Sequence, residues 1–313
     1  MTFNINSARA SAPPRSALTS RPLPAPLLLF CFVAFLGVAL APRAASANPR
    51  PLPFTYPYET LADGALEVEL YTDTTPLRVQ ADPADSRAGR LWEPYYMLQT
   101  EIEYGISDRW EFGFYQVFEA QPQAGGSNTF SFDGLKARLR TRIAEAGELP
   151  VDIGLYIEVA DLHDELELEE KILLSRRFGR LRVLSNLWIE QELRRPYDGD
   201  AHRELALLIN PTLGATYQLG TRFQIGAEYW ARGKIAGRSD PDTTGMDPAA
   251  AEAARVAKRN DMVHHFLGPT FHVNFGRAWL SLGVYAHLND SNKPQPGEAY
   301  GPVWMRTVLG LDL

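Results

Sequence analysis

Leu181-Arg-Val-Leu-Ser-Asn-Leu-Trp-Ile-Glu-Gln-Glu-Leu193 puts Leu181, Val183, Leu187, Ile189 and Leu193 on one side and Arg182, Asn186, Glu190 and Glu192 on the other. A period of two is the signature of a strand, because successive side chains of an extended backbone point to opposite faces. Twelve stretches of this kind follow one another, at about 64 to 73, 91 to 106, 109 to 120, 130 to 144, 151 to 161, 165 to 178, 181 to 194, 203 to 218, 222 to 235, 262 to 275, 278 to 288 and 301 to 313. Tight connections at Ser107-Asp108, Glu145 to Pro150, Gly179-Arg180, Leu219 to Thr221 and Gly276-Arg277 alternate with longer polar ones near 74 to 90, 121 to 129, 162 to 164, 195 to 202, 236 to 261 and 289 to 300. Strands of about ten residues, an even strand number and alternating short and long turns predict an all-β, antiparallel up-and-down transmembrane barrel. A soluble antiparallel sandwich is the rival, but its strands average about five or six residues.

What precedes the strands agrees with export. Residues 1–47 carry Arg9, Arg15, Arg21 and Arg43, no acid, an apolar run from Pro26 to Ala41 and the small residues Ala45-Ser-Ala47. This is the make-up of a cleaved secretory signal, with the mature chain starting at Asn48. Residues 48–63, with Pro49, Pro51, Pro53 and Pro57 among Phe54, Tyr56 and Tyr58, favour extended backbone outside a ladder and read as a periplasmic lead-in to a barrel over 64–313. Cys31 is the only cysteine and falls inside the leader, so the mature chain has neither a thiol nucleophile nor a thiolate metal site. The full chain has 31 basic and 38 acidic residues; removing the four leader arginines leaves a net charge near −11. Nucleic acid is thereby an improbable partner.

If the apolar faces meet lipid, the polar faces line a lumen, and there the charges segregate. Lys136, Arg138, Arg140 and Arg142 form a basic track on one strand, either a guide for anions or one side of a cross-lumen ion-pair network that stiffens the wall. Counting back from the turn at 145 to 150 sets Arg142 beside Asp152, Lys136 beside Glu158, and Arg138 and Arg140 against Tyr156 and Gly154, without acids. Glu165, Glu167, Glu169, Glu190 and Glu192 form an acidic cluster, in which the turn at Gly179-Arg180 sets Glu169 opposite Glu190, Glu167 opposite Glu192 and Glu165 near Arg194. Like charges facing across a strand pair need water, a cation or a base across the lumen. Glu170 points toward lipid by strict alternation and calls for a bulge or an interfacial position.

Glu103-Tyr-Gly-Ile-Ser-Asp-Arg-Trp-Glu-Phe-Gly-Phe114 resembles a hairpin of the bacterial outer-membrane barrels grouped with the meta-pathway of phenol degradation. The resemblance implies architecture and names no solute. The final strand, ending Leu309, Leu311, Leu313, resembles the signal read by the barrel-assembly machinery, with leucine where an aromatic is commoner. No cofactor motif is present. His264 and His287 lie diagonally on adjacent strands as a weak metal pair, and His265 faces outward without the serine that a lipid-active enzyme would need. Asp247 and Pro248 open a helix through Arg259 in the longest loop. The expectation is a passive outer-membrane channel for small hydrophilic solutes, set in outer-membrane lipids, with a closed structural or adhesive barrel as the alternative.

Overall fold

The structure, a computed structural model, describes residues 50–82, 84, 89–195, 205–235, 244–289 and 296–313. The expected signal peptide and the cleavage point at Ala47 lie outside the described residues. The strands are β1 (Leu66–Gln80), β2 (Arg90–Ser107), β3 (Trp110–Pro122), β4 (Asn128–Arg142), β5 (Asp152–Leu162), β6 (Glu165–Phe178), β7 (Leu181–Arg194), β8 (Leu205–Ile209), β9 (Thr212–Gln218), β10 (Phe223–Arg232), β11 (His264–Asn274), β12 (Ala278–His287) and β13 (Val303–Asp312). Helix α1 (Pro248–Asp261) precedes β11. Each strand is antiparallel to its neighbours, and β1 pairs with β13 to close the ring.

The thirteen segments make a twelve-stranded barrel. β8 and β9 are one strand interrupted at Pro211, because Ile189↔Ile209 and Asn186↔Thr212 keep a single register along β7. Proline has no N–H to donate to the ladder, so the strand is broken as a hydrogen-bonding unit while its path continues. β1 runs past the expected loop start at 74, through Pro76 to Gln80, with Pro76 opposite Pro94 of β2. Both prolines lie beyond the last residues paired on their other flank, Thr74↔Met305 and Tyr96↔Ala120, where a missing donor has no ladder to break.

Leu155, Ile157, Leu187, Ile189, Leu207, Leu213 and Leu309 face outward and are exposed, while Glu101, Arg138, Glu167 and Glu192 on the opposite faces are buried. Trp110, Phe178, Tyr217, Phe223 and Phe275 face out near the tight-turn end, the placement of an interfacial girdle. Glu170 faces outward without a bulge, since β6 keeps unbroken register with β5 and β7. Its carboxylate instead accepts from Gln191 Nε2 at 3.2 and 3.3 Å.

Residues 50–61 differ from the sequence expectation. They belong to no strand, as their prolines dictate, but the expected periplasmic lead-in lies inside the barrel, with Leu52, Phe54, Tyr56, Tyr58 and Leu61 buried. The aromatics bury apolar area there that water would otherwise cover.

Candidate functional site

The lumen is where the wall's charges meet this inserted segment. Lys136, Arg138 and Arg140 are buried on the inner face of β4, as alternation requires, yet their partners differ from those counted. The β4–β5 register is shifted by two residues, with Arg142↔Gly154, Arg140↔Tyr156 and Arg138↔Glu158. The connection spends more residues than the count assumed: Ile143 N donates to Ile153 O at 2.9 Å, and Asp152 Oδ1 accepts from Gly147 N at 2.7 Å.

Arg138 and Arg140 do not form an unpaired basic track. Arg138 lies opposite Gly113 on β3, and a Cβ there would stand 2.5 Å from Glu101 Oε1 and 2.7 Å from Arg138 Nε. Through this gap the guanidinium crosses β3 to β2, donating to Glu101 at 2.6 Å, to Glu103, and to Tyr115 Oη at 2.9 Å, with Glu111 on β3 at 2.6 Å. Arg140 Nη2 donates to Glu111 at 2.8 Å. Lys136 lies 3.3 Å from Glu158 and 3.6 Å from Glu167, and half-buried Arg142 lies 3.0 Å from Glu145.

The acidic cluster has the counted register, Glu165↔Arg194, Glu167↔Glu192 and Glu169↔Glu190. Bases on β10 and on β6 itself compensate it. Arg232 from β10 reaches Glu190 at 2.6 Å and Glu192 at 2.9 Å, Asn210 Nδ2 donates to Glu190 at 2.8 Å, and Lys171 lies 2.7 Å from Glu169. Lys171 Nζ also sits 3.7 Å above the Trp188 ring and 4.0 Å from that of Tyr156, a cation–π setting that steadies a buried ammonium.

Residues 50–61 enter as a loop whose apex is Phe54. Near the tight-turn end, Leu61 N donates to Glu111 at 2.7 Å and Thr60 Oγ1 to Asp108 O at 2.9 Å, while Glu59 pairs with Arg182. Deeper, Asn186 holds Tyr56 twice: Oδ1 accepts from Tyr56 N at 2.7 Å and Nδ2 donates to Tyr56 O at 3.0 Å. Glu228 Oε1 accepts from the N–H groups of Phe54 at 3.0 Å and Thr55 at 2.6 Å. The Phe54 ring stacks on Trp230 at 4.3 Å and carries the Arg306 guanidinium 3.8 Å above it. Arg50 on the other limb donates to Tyr71 Oη at 2.7 Å and lies 3.5 Å over the Tyr56 ring.

Wall glycines seat this loop. A Cβ at Gly214 would meet Leu52 Cδ1 at 2.5 Å, and one at Gly154 would meet Tyr58 Cα at 3.2 Å, so Gly154 faces the plug and not open water. Beside Tyr56 there remains a cavity of about 50 Å³, lined by Tyr71, Tyr115, Lys136, Tyr156, Lys171 and Trp188 among others. That is room for roughly three to five waters. Residues 50–61 and the wall side chains that hold them thus occupy much of the described lumen.

The histidines are engaged. His264 Nδ1 lies 3.0 Å from His287 Nε2, and His264 Nε2 lies 2.9 Å from Arg259 O. A carbonyl only accepts, so Nε2 of His264 carries the proton, and its Nδ1 lone pair is taken by His287 instead of being offered to a metal. Outward His265 is bonded to Tyr229 Oη at 2.7 Å. His272 Nδ1 is 2.8 Å from Ser281 Oγ, but that hydroxyl donates to Arg50 O and is covered by the plug. Helix α1 starts as expected: Asp247 Oδ1 accepts from Ala249 N and Ala250 N at 2.9 and 3.0 Å. Arg259 at its end lies 2.5 Å from Glu298, bracing the neighbouring loop.

Residues 50–61 are the element whose location the sequence does not give. A signal for it existed in the alternate aromatics between prolines, Phe54, Tyr56 and Tyr58.

No protein-family model matches the chain, and no curated protein matches it in sequence. Solved structures do match in fold. An outer membrane channel from Pseudomonas putida F1 superposes with a TM-score of 0.57 at 12% identity, covering 86% of this chain and 100% of that one. The NanC porin superposes with a TM-score of 0.50 at 7% identity, covering 80% and 100%. The architecture is that of outer-membrane barrels; identities this low establish the fold alone.

Proposed function

We propose that the protein is an outer-membrane channel for small hydrophilic solutes whose lumen is closed at rest by its own residues 50–61. The manner in which that segment is held carries the proposal. Its backbone is bound by wall side chains, Glu228, Asn186 and Glu111, and it adds no strand to the sheet. The plug can therefore withdraw without breaking a barrel ladder. A wall so rich in carboxylates and guanidiniums is costly in a permanently dry interior, where packed apolar residues would serve as well or better. The folds it resembles include a channel and a porin, and the 103–114 hairpin's likeness to phenol meta-pathway barrels points the same way. Export through the leader, assembly through β13 and an apolar belt in lipid complete the reading.

A second reading has a specific observation behind it. Phe54, Trp230, Phe266, Trp304, Tyr285 and Tyr300 form one buried cluster, and such a cluster favours a permanent plug and a purely structural barrel. Planar-bilayer recording separates the two. Wild type should show small, brief openings, and Asn186→Ala with Glu228→Gln should open longer and wider. If both proteins are folded and neither conducts, the structural barrel is the answer.

A further inference from the structure

One group of buried carboxylates is left with more negative charge than its neighbours supply positive. Glu67 and Glu69 on β1 stand opposite Glu103 and Glu101 on β2, all facing inward. Glu67, Glu69 and Glu103 are at most 2% exposed, and one oxygen from each lies within 4.8 Å of the others. We propose that Glu67, Glu69 and Glu103 bind a divalent cation on the lumen wall.

The orphaned oxygen of Glu67 is the direct sign. Its Oε1 accepts from Trp279 Nε1, which fixes the carboxylate, while Oε2 is buried with no hydrogen-bond partner among the described residues. An unpartnered anionic oxygen in a water-poor interior is unfavourable unless a cation or a proton meets it. Charge counting gives the same result independently. Glu67, Glu69, Glu101, Glu103 and Glu111 face Arg50, Arg138 and Arg140: Arg138 serves Glu101, Glu103 and Glu111, Arg140 serves Glu111, and Arg50 lies 3.7 Å from Glu69. Five carboxylates against three guanidiniums leave two negative charges, the complement of one divalent ion.

The donors are all oxygens, which selects a hard cation such as calcium, magnesium or manganese. Ligand oxygens of one calcium ion, each about 2.4 Å from it, stand at most ~4.8 Å apart, and one oxygen from each of the three carboxylates meets that limit. Trp279, Tyr71 and Arg138 hold the ligands from behind, the supporting role that orients a metal's ligands. A second acidic group, Glu165, Glu167, Glu169, Glu190 and Glu192, is clustered as tightly, but each of its carboxylates has an ammonium or guanidinium group within 4.0 Å, from Lys136, Lys171, Arg194 or Arg232, whereas Glu67 has none among the described residues.

The test uses the full mature barrel, refolded from urea in detergent free of lipopolysaccharide and stripped with EDTA. Equilibrium dialysis against calcium and Mn²⁺ electron paramagnetic resonance should both report one ion per chain. Glu67→Gln should weaken that binding at least tenfold, and Glu119→Gln, an inward acid remote from the group, should leave it unchanged. No ion retained by wild type would show that protons neutralise the group, and equal retention by Glu67→Gln would show that the ion sits elsewhere; either result overturns the proposal. If Glu67→Gln does not fold, crystals of wild type soaked in Mn²⁺ decide the matter: an anomalous peak between Glu67, Glu69 and Glu103 supports the site, and its absence there overturns it.

Discussion

Gly113 decides where Arg138 goes. With no side chain on β3 at that position, the guanidinium reaches two strands away to Glu101 and Glu103; any larger residue closes the gap. Gly113→Val should therefore resemble Arg138→Met, since both separate a buried cation from buried carboxylates, a loss of roughly 3 to 5 kcal/mol. Urea titration of the barrel in lipid vesicles measures it, and a stable Gly113→Val protein would mean that Arg138 has another resting place. On the outer face the expectation is simpler. Leu155→Arg places a charge in the apolar belt and should cost roughly 2 to 4 kcal/mol on the depth scale for barrels, whereas Leu155→Ile should be close to neutral. The direction each residue faces was legible in the sequence because alternation leaves only two choices. The partners of Arg138 were not, because a long side chain crossing a glycine depends on a strand that neighbour counting never visits.

At the level of elements, legibility follows how local the determinant is. Helix α1 was readable from Asp247 and Pro248, which act within one turn, and the β6–β7 register from a two-residue turn. The β4–β5 register slipped by two because its turn is long and shaped by Asp152 and Gly147. Residues 50–61 were legible as proline-ruled extended chain, but their location depends on Glu228, Asn186 and Glu111, more than 49 residues further along. This manner of holding also sets their dynamics. Amides bonded to side chains open singly, while ladder amides open only with their strand. Hydrogen exchange should thus find Phe54, Thr55, Tyr56 and Leu61 faster than the amides of β5 or β12, and Asn186→Ala should speed Tyr56 by about one order of magnitude, the effect of roughly 1.4 kcal/mol. Exchange of 50–61 as slow as that of the strands would mean the plug is part of the barrel's cooperative unit and does not gate.

For the whole molecule, the proposed channel's selectivity would depend on how fixed charge is distributed once the plug withdraws. Much of the wall's charge is paired locally without being cancelled: Arg138 and Arg140 are engaged by Glu101, Glu103 and Glu111, and Arg232 by Glu190 and Glu192. An unplugged lumen therefore presents residual charge, and selectivity should respond most where one substitution uncovers an opposite partner. Glu190→Gln with Glu192→Gln uncovers Arg232 in the half nearer the long loops, so the reversal potential under a salt gradient should move toward anion preference. Arg232→Gln should move it the opposite way. Both shifts should shrink as salt rises from 0.1 M to 1 M, because the Debye length falls from ~10 Å to ~3 Å and a wall charge no longer reaches the permeating ion. Recording these variants in the Asn186→Ala background, where the plug is loosened, gives currents large enough to resolve the difference. If the variants conduct with an unchanged reversal potential, solutes do not pass the Arg232 side of the lumen, and the path must run along the β1–β4 wall instead.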